Sequence, residues 1–221
     1  MHDNTEHHRL QRAVLDALAG KPRVLAMEQF DSEYQAAIDA AVGSGDAEKV
    51  ADAGGLDRKG WNWPLYKPLV EFALAHGWPI AAANLSRADA RAIVADPPRS
   101  GLPPAAPFVR NALERDIIDG HCGAEPEAKR LAGMVEAQRA RDARMAQVLS
   151  RYAATVLIAG NGHAQRNVGA PLYLPADELI SIAFVEMEAP STAAQDLPNA
   201  QSFDYLWFTT RAVREDPCAK R

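Results

Sequence analysis

Short apolar runs alternate with longer amphipathic segments along this chain, and this alternation restricts the fold more than any other feature of the sequence. Three runs are typical of buried strands: 23–28, 78–84 and 155–159. Helical patterns precede, separate and follow them. A right-handed crossover through a helix returns the next strand in the same direction. The sequence therefore predicts an α/β fold with a mostly parallel sheet flanked by helices.

Capping residues set the predicted helix boundaries. Asp3 with Glu6 is expected to begin the first helix, which runs from about residue 4 to residue 19. Asp31 is expected to cap the second helix, and Ser86 a later one. The longest helix is predicted from about Glu125 to Tyr152.

Two stretches fit neither a long helix nor a strand. Residues 43–62 are polar and rich in Gly, Ala and Asp, and residues 96–107 contain five prolines. We interpret 43–62 and 96–120 as helical or loop insertions, including a small helical subdomain, within a single domain spanning 1–221. Residues 179–185 and 203–208 are predicted as further strands.

Charge and hydropathy exclude some function classes. The formal net charge is −5, whereas a nucleic-acid-binding face is basic. No apolar run has the length of a membrane span, and the start Met1-His2-Asp3 is not that of a signal peptide. The chain also opens on a helix with no strand before it. We therefore expect that an upstream segment is missing, and that it would carry the first strand.

Cys122 and Cys218 are the two cysteines of the chain. Two ordinary thiols are the expectation for a cytosolic protein. A disulfide joining the middle of the chain to its tail is the alternative, and it would suit an exported protein. The two residues do not have zinc-finger spacing.

Polar residues close the predicted strands. Glu28 ends the first strand, Asn84 ends the second, and His163 follows the third after a glycine turn. His2 stands where a missing strand would end. Parallel strands present their carboxyl ends at one edge, where ligands bind, so we expect these side chains to converge.

This set suits a metal ion or an acid–base pair. Imidazole and carboxylate are ligands of zinc, iron or manganese, and His2, Glu28 and His163 are the candidate metal ligands. Glu28 beside a histidine could also transfer protons. Taken singly, each residue has a plainer explanation, such as an exposed acid, a turn former or a backbone-bonded histidine. For the set together, we favour a site.

The longest helix carries polar residues within its apolar stripe. Gln138 and Asp142 fall between Val135 and Met145, with Arg141 adjacent. Polar groups on a buried helical face are costly unless they are paired. They either hold the helix to the sheet through an ion pair or reach toward the site.

The glycines before His163 invite comparison with phosphate-binding loops. The segment 160–163 resembles a phosphate-binding turn. It lacks the lysine of a P-loop and the G-x-G-x-x-G spacing, so a nucleotide site is not expected.

Trp61, Trp63 and Tyr66 cluster before a helix. Such clusters usually belong to the core. Alternatively, Trp63 and Tyr66 would wall a pocket for a porphyrin, with Tyr66 supplying a phenolate to ferric haem. His7 shares a helical face with Leu10 and Val14, so it points either at this site or at the surface.

Several motifs, in the right order, resemble one known family. They are His2-Asp3-Asn4-Thr5-Glu6-His7-His8-Arg9-Leu10-Gln11, Met27-Glu28-Gln29-Phe30, Trp63-x-x-Tyr66, Ala82-Ala83-Asn84-Leu85, His121-Cys122-Gly123, Gln138-x-Arg-Ala-Arg141-Asp142-x-x-Met145-Ala146, Ala159-Gly160-Asn161-Gly162-His163-Ala164, Asp204-Tyr205-Leu206-Trp207 and Asp216-Pro217-Cys218. Together they resemble the ChaN-like family of the Tiki superfamily over nearly the whole chain.

This resemblance implies a haem-binding protein of iron uptake, often an exported lipoprotein, that dimerises around haem. It implies a periplasmic or outer-membrane location through an N-terminal lipid anchor, which we expect to lie in the missing upstream segment. His163 would end the second Gly-x-x-His motif of the superfamily and His2 the first. The family's first strand and the Gly-Glu before His2 are absent here.

Two functions are therefore expected. The first is haem binding, with Tyr66, Trp63, His7 and Asn84 at the cofactor. The alternative is a metal-dependent hydrolase of peptidase or esterase type, in which Glu28, His163 and Arg141 would be catalytic and a divalent metal ion would activate water.

Overall fold

A three-stranded parallel sheet forms the centre of the protein. The computed structural model describes residues 3–21, 23–177, 179–187, 200–216 and 218–219. Strands β1 (Val24–Asp31), β2 (Ile80–Asn84) and β3 (Thr155–Ile158) lie in the order β2-β1-β3. β1 pairs in parallel with both neighbours, as the alternation of strands and helices predicts.

Helices connect the strands and cover both faces of the sheet. In the described ranges these are α1 (Thr5–Leu18), α2 (Gln35–Val42), α3 (Ala47–Ala53), α4 (Trp63–Ala75), α5 (Arg87–Ala95), α6 (Pro107–Gly120), α7 (Ala128–Leu149) and α8 (Asn161–Ala164). Short 3-10 helices lie at Ser32–Tyr34, Pro97–Ser100, Ala170–Tyr173 and Ala200–Ser202. The architecture is α/β, and the predicted fold class is confirmed.

Two apolar layers hold the helices to the sheet. Leu25 and Met27 of β1 pack into the larger core with α1, α2, α3 and α4. Val24 and Ala26 point to the opposite face, where Met145 of α7 covers them. Successive residues of a strand face opposite sides, so β1 is buried on both.

A second, two-stranded parallel sheet lies near the end of the chain. β4 (Ile182–Met187) pairs with β5 (Tyr205–Thr210), with Phe184 opposite Trp207. It is anchored to the carboxyl edge of the main sheet, because Asn161 Nδ2 donates to the Phe184 carbonyl oxygen at 2.8 Å. Both strands lie close to the predicted ranges.

Several boundaries differ from the sequence-based expectation. Asn4, not Asp3, caps α1, since its side chain accepts from the amides of Glu6 and His7. Asp31 belongs to β1, and its side chain does not cap the 3-10 turn that follows. Ser86 caps α5 as predicted.

The two predicted insertions both contain helices. α3 lies within 43–62, and α6 fills the second half of 96–120. α6 begins at Pro107, a favourable first helical residue because it lacks the amide hydrogen that would otherwise be unpaired there. The proline-rich start of this stretch is thus followed by a helix of 14 residues.

Cys122 and Cys218 form a disulfide, with their Cα atoms 5.6 Å apart. The expectation of two free thiols is wrong. The two cysteines lie 96 residues apart in sequence, and spacing carried no information about their approach. Among the described helices, none has the length and apolar character needed to cross a membrane.

Candidate functional site

Glu28 and Asn84 meet at the carboxyl edge of the main sheet. β1 continues past Glu28 to Asp31, so Glu28 lies inside the strand, and the pairing with β2 shifts register between Met27 and Asp31. Asn84 Nδ2 donates to the Glu28 carbonyl oxygen at 3.0 Å. Its Oδ1 accepts from the Leu85 amide at 2.9 Å. Asn84 therefore holds the ends of two strands together.

The Glu28 carboxylate points toward the turn after β3. Its Oε2 accepts from the Gly160 amide at 2.7 Å, and its Oε1 lies 3.4 Å from His163 Nε2. Glu28 and His163 are thus on the same edge and within reach of one another. The sequence predicted this convergence.

α7 brings an acid to the other side of the imidazole. Asp142 Oδ1 lies 2.6 Å from His163 Nδ1, and Gln138 Nε2 lies 3.2 Å from His163 Nε2. The polar residues that interrupt the apolar stripe of α7 therefore contact His163. One helical turn separates Gln138 from Asp142, so both reach the same ring.

Burial and charge have opposing effects on this histidine. Burial disfavours the charged imidazolium, but the Asp142 and Glu28 carboxylates outweigh burial and raise the pKa of His163 to about 10. Burial also raises the pKa of Asp142 to about 6, although the His163 charge acts against that rise. With these pKa values, His163 is an imidazolium beside the Asp142 carboxylate near neutral pH.

One atom of this network is unsatisfied. Asp142 Oδ2 is buried and has no hydrogen-bond partner among the described residues. A buried polar atom of this kind costs free energy and is uncommon in folded proteins. The buried acid, imidazole and second acid form an arrangement suited to moving a proton.

The predicted metal site is only partly described. His2 lies outside the described residues. Within the described ranges, no three His, Cys, Asp or Glu side chains are arranged to hold a metal ion. Glu28 and His163 are adjacent, but their role as ligands stays a prediction.

Arg141 is partly buried, and its positive charge acts to lower the pKa values of both Asp142 and Asp31. Its charge acts on Asp31, a half-buried carboxyl whose pKa is raised by burial and by Glu33, and lowered by Arg141. A catalytic role for Arg141 stays a prediction. The sequence associated Arg141 with the site because it is next to Asp142, but neighbouring residues of a helix point about 100° apart.

Tyr66 and Trp63 are core residues. Tyr66 is 2% exposed, and its ring meets His8 edge-on at 4.4 Å and Trp61 at 6.0 Å. Burial and the charge of Glu28 raise the pKa of its phenol, which disfavours the phenolate. Trp63 is also buried, and its Nε1 donates to the Glu48 carboxylate at 3.0 Å. Ligation of haem by Tyr66 would require these covering side chains to move.

His7 of α1 is half-buried and packs against the second sheet. Its Nε2 lies 2.7 Å from Thr209 Oγ1, and its ring is 5.9 Å from the ring of Phe184. The pKa of His7 is lowered, mainly because burial disfavours the charged imidazolium. His7 thus closes one end of an aromatic surface.

This surface, which we call the aromatic patch, consists of His7, Tyr205 and Trp207 around Phe184, which is only 9% exposed. Phe184 and Trp207 are paired across the two strands, with ring centroids 6.2 Å apart. Tyr205 is 62% exposed and Trp207 is 47% exposed. This patch was not predicted, although two aromatic residues spaced by two in a predicted strand must share a face.

Comparison with known proteins gives two matches. The model of the family described as "Haem-binding uptake, Tiki superfamily, ChaN" matches residues 1–174. The solved structure titled "Cofacial heme binding to ChaN of Campylobacter jejuni" is similar with a TM-score of 0.76, at 24% identity, over 93% of this chain and 83% of that chain. At this identity the structural match establishes a common fold. No curated protein sequence matches the chain.

Proposed function

Because this chain belongs to the ChaN family of haem-binding uptake proteins in the Tiki superfamily, we propose that it binds haem. The family match over 1–174 is the observation that carries the proposal. It agrees with the resemblance that the sequence motifs indicated. The remaining question is which residues would hold the cofactor.

The aromatic patch suits a porphyrin better than the core residues do. A flat apolar ring needs an open apolar face, and Tyr66, Trp63 and Asn84 are each at most 4% exposed. Tyr205 and Trp207 offer exposed aromatic rings beside the carboxyl edge. Haem would lie against these rings, next to His7.

Tyr205 is the axial donor that this placement favours. Tyrosine and histidine both ligate haem iron in proteins, and the bound iron supplies the redox and ligand-exchange chemistry. Tyr205 needs no rearrangement to approach a ligand. The His7 Nε2 already lies within hydrogen-bond distance of Thr209.

Hemin titration followed by the Soret band tests the proposal. We expect saturable binding to the wild type, and affinity at least about tenfold weaker in Tyr205→Phe, the loss of roughly 1.4 kcal/mol. Tyr66→Phe should bind as the wild type does. Tyr152→Phe is the matched control, because Tyr152 is also exposed but lies after α7.

The outcomes separate the two tyrosines. Loss of binding in Tyr66→Phe with normal binding in Tyr205→Phe would place haem inside the core cluster and refute the patch. Equal weakening in Tyr152→Phe would mean that hemin adheres without a defined site. Absence of saturable binding by the wild type would refute the haem function itself.

Assembly and location complete this proposal. We propose that two copies associate around haem, and size-exclusion chromatography with and without hemin tests this. We also propose an oxidising, periplasmic or outer-membrane location with a lipid anchor. The Cys122–Cys218 disulfide supports the oxidising compartment, because such bonds are rare in the cytosol.

A metal-dependent hydrolase is the second candidate. The buried Asp142–His163–Glu28 network favours it, since paired titratable groups with displaced pKa values mark many acid–base sites. Elemental analysis followed by peptide and ester substrates tests this function. Metal-free protein that stays inactive after addition of zinc, iron or manganese would exclude it.

A further inference from the structure

A cavity of about 580 Å³ lies between α5 and α7, on the opposite side of α7 from Gln138 and Asp142. We propose that this cavity binds a small amphipathic anion, with an apolar body and one acidic group. Its volume is in the range of cavities that hold small molecules. The proposal does not depend on haem binding.

The helix packing explains why the cavity exists. α5 and α7 are in tight contact at Gly133, where an added Cβ would lie 2.1 Å from the Val94 carbonyl oxygen. Farther along α7, the small side chains Ala140 and Ala143 line the space, with Arg144 and Gln147 beside them. The segment 97–102 closes the side of the space. A gap with these boundaries persists because no large side chain fills it.

The floor of the cavity is apolar. Leu85, Ile93 and Leu102 line it, and they belong with Ala140 to one hydrophobic cluster. Burial of an alkyl or aryl body against such a surface would be favourable, because it removes apolar area from water. The cavity residues include neither Tyr, His, Cys nor Met, so haem iron would find no axial donor here.

The rim carries an excess of positive charge. Arg99 and Arg144 line the opening, and in the described part of the chain neither forms an ion pair with a carboxylate. Arg144 Nη1 donates to Gln147 Oε1, at 2.9 Å. The one acid of the lining, Asp89, accepts from Ser86 Oγ at 2.9 Å. Two guanidinium groups against one carboxylate favour an anionic ligand.

Isothermal titration calorimetry with decanoate, decyl phosphate and decanol tests the proposal. We expect one saturable site for at least one of the two anions, and binding of decanol at least about tenfold weaker, because decanol cannot accept a charge-assisted hydrogen bond from a guanidinium group. The tighter of the two anions identifies the acidic group as carboxylate or phosphate. Measurements without hemin keep this result independent of the haem proposal.

Two variants locate the ligand. Arg99→Gln/Arg144→Gln should weaken anion binding at least tenfold, whereas Arg110→Gln/Arg151→Gln, at exposed arginines outside the cavity, should not. Ala143→Leu should abolish binding by filling the space, with circular dichroism verifying the fold. Wild-type protein that binds neither anion, or binds decanol as tightly, would overturn the proposal. Equal anion affinity in the Arg99/Arg144 variant and the wild type would do the same.

Discussion

His163 holds its imidazole between two acids, with Nδ1 toward Asp142 and Nε2 toward Glu28. Both pKa values of the His163–Asp142 pair are raised. A raised pKa means that the folded state retains its proton at a pH where the unfolded state has released it. The pair therefore links proton uptake to folding.

The sign of this linkage gives a pH prediction. The contribution of Asp142 to the free energy of unfolding is complete below about pH 4 and is lost as the pH rises through about 6. The contribution of His163 is complete below about pH 6.5 and is lost as the pH rises through about 10. We expect the free energy of unfolding of the wild type, measured with urea between pH 5 and 9.5, to fall more steeply than that of Asp142→Asn/His163→Gln.

A matched pair of substitutions controls for the loss of charge. Asp96→Asn/His76→Gln removes one acid and one histidine at exposed positions and should keep the wild-type slope. Asp142→Asn alone leaves the imidazole without its nearest carboxylate, and should cost about 3 kcal/mol. Parallel pH profiles for the wild type and the Asp142/His163 variant would contradict the linkage.

The convergence of Glu28, Asn84 and His163 was predictable because strand direction in a parallel sheet determines which ends meet. The contact of Gln138 and Asp142 with His163 was predictable only in part. Helical spacing placed both residues on a buried face, where they need a polar partner, but it did not identify that partner. The sequence did not decide whether Tyr66 is buried. An aromatic cluster next to a helix serves equally as core or as pocket wall, and only packing distinguishes the two.

At the scale of elements, the start of α1 shows that local sequence does not always identify the capping residue of a helix. Asp3 and Asn4 are both good capping residues, so spacing alone could not choose between them. Contacts with the second sheet favour Asn4, whose Nδ2 donates to Glu186 Oε1 at 2.6 Å and to the Thr210 carbonyl oxygen at 3.1 Å. A contact between residues so distant in sequence is invisible to local patterns.

The crossing of α5 and α7 gives a second prediction. Gly133→Ala should lower the free energy of unfolding by about 1–3 kcal/mol, because the new methyl group would collide with the Val94 carbonyl. Helix propensity alone predicts the opposite sign. Gly120→Ala is the control, since Gly120 ends α6 with open space around its Cα. Equal urea midpoints for Gly133→Ala and the wild type would show that the helices separate freely.

At the scale of the whole molecule, the last residues of the chain are bonded to three separate parts of the fold. Arg214 forms ion pairs with Glu186 of β4 and with Asp3, ahead of α1. Four residues later, Cys218 is bonded to Cys122 beyond α6. The tail therefore joins the start of the chain, the second sheet and the middle of the chain.

The disulfide supplies the third prediction. Cys122→Ser/Cys218→Ser should lower the free energy of unfolding by up to about 4 kcal/mol, because the bond closes a long loop and restricts the unfolded chain. Urea unfolding of this variant, and of the wild type with dithiothreitol, should show the same loss. Unchanged stability in both would mean that the tail contributes little to the fold.

The same bond gives the protein a covalent ring. A cut at one peptide bond between Cys122 and Cys218 would leave the two fragments joined, so a nicked chain would keep its full mass under non-reducing electrophoresis. Only a reductant would release the pieces. Electrophoresis without a reductant would therefore count cleaved molecules as intact.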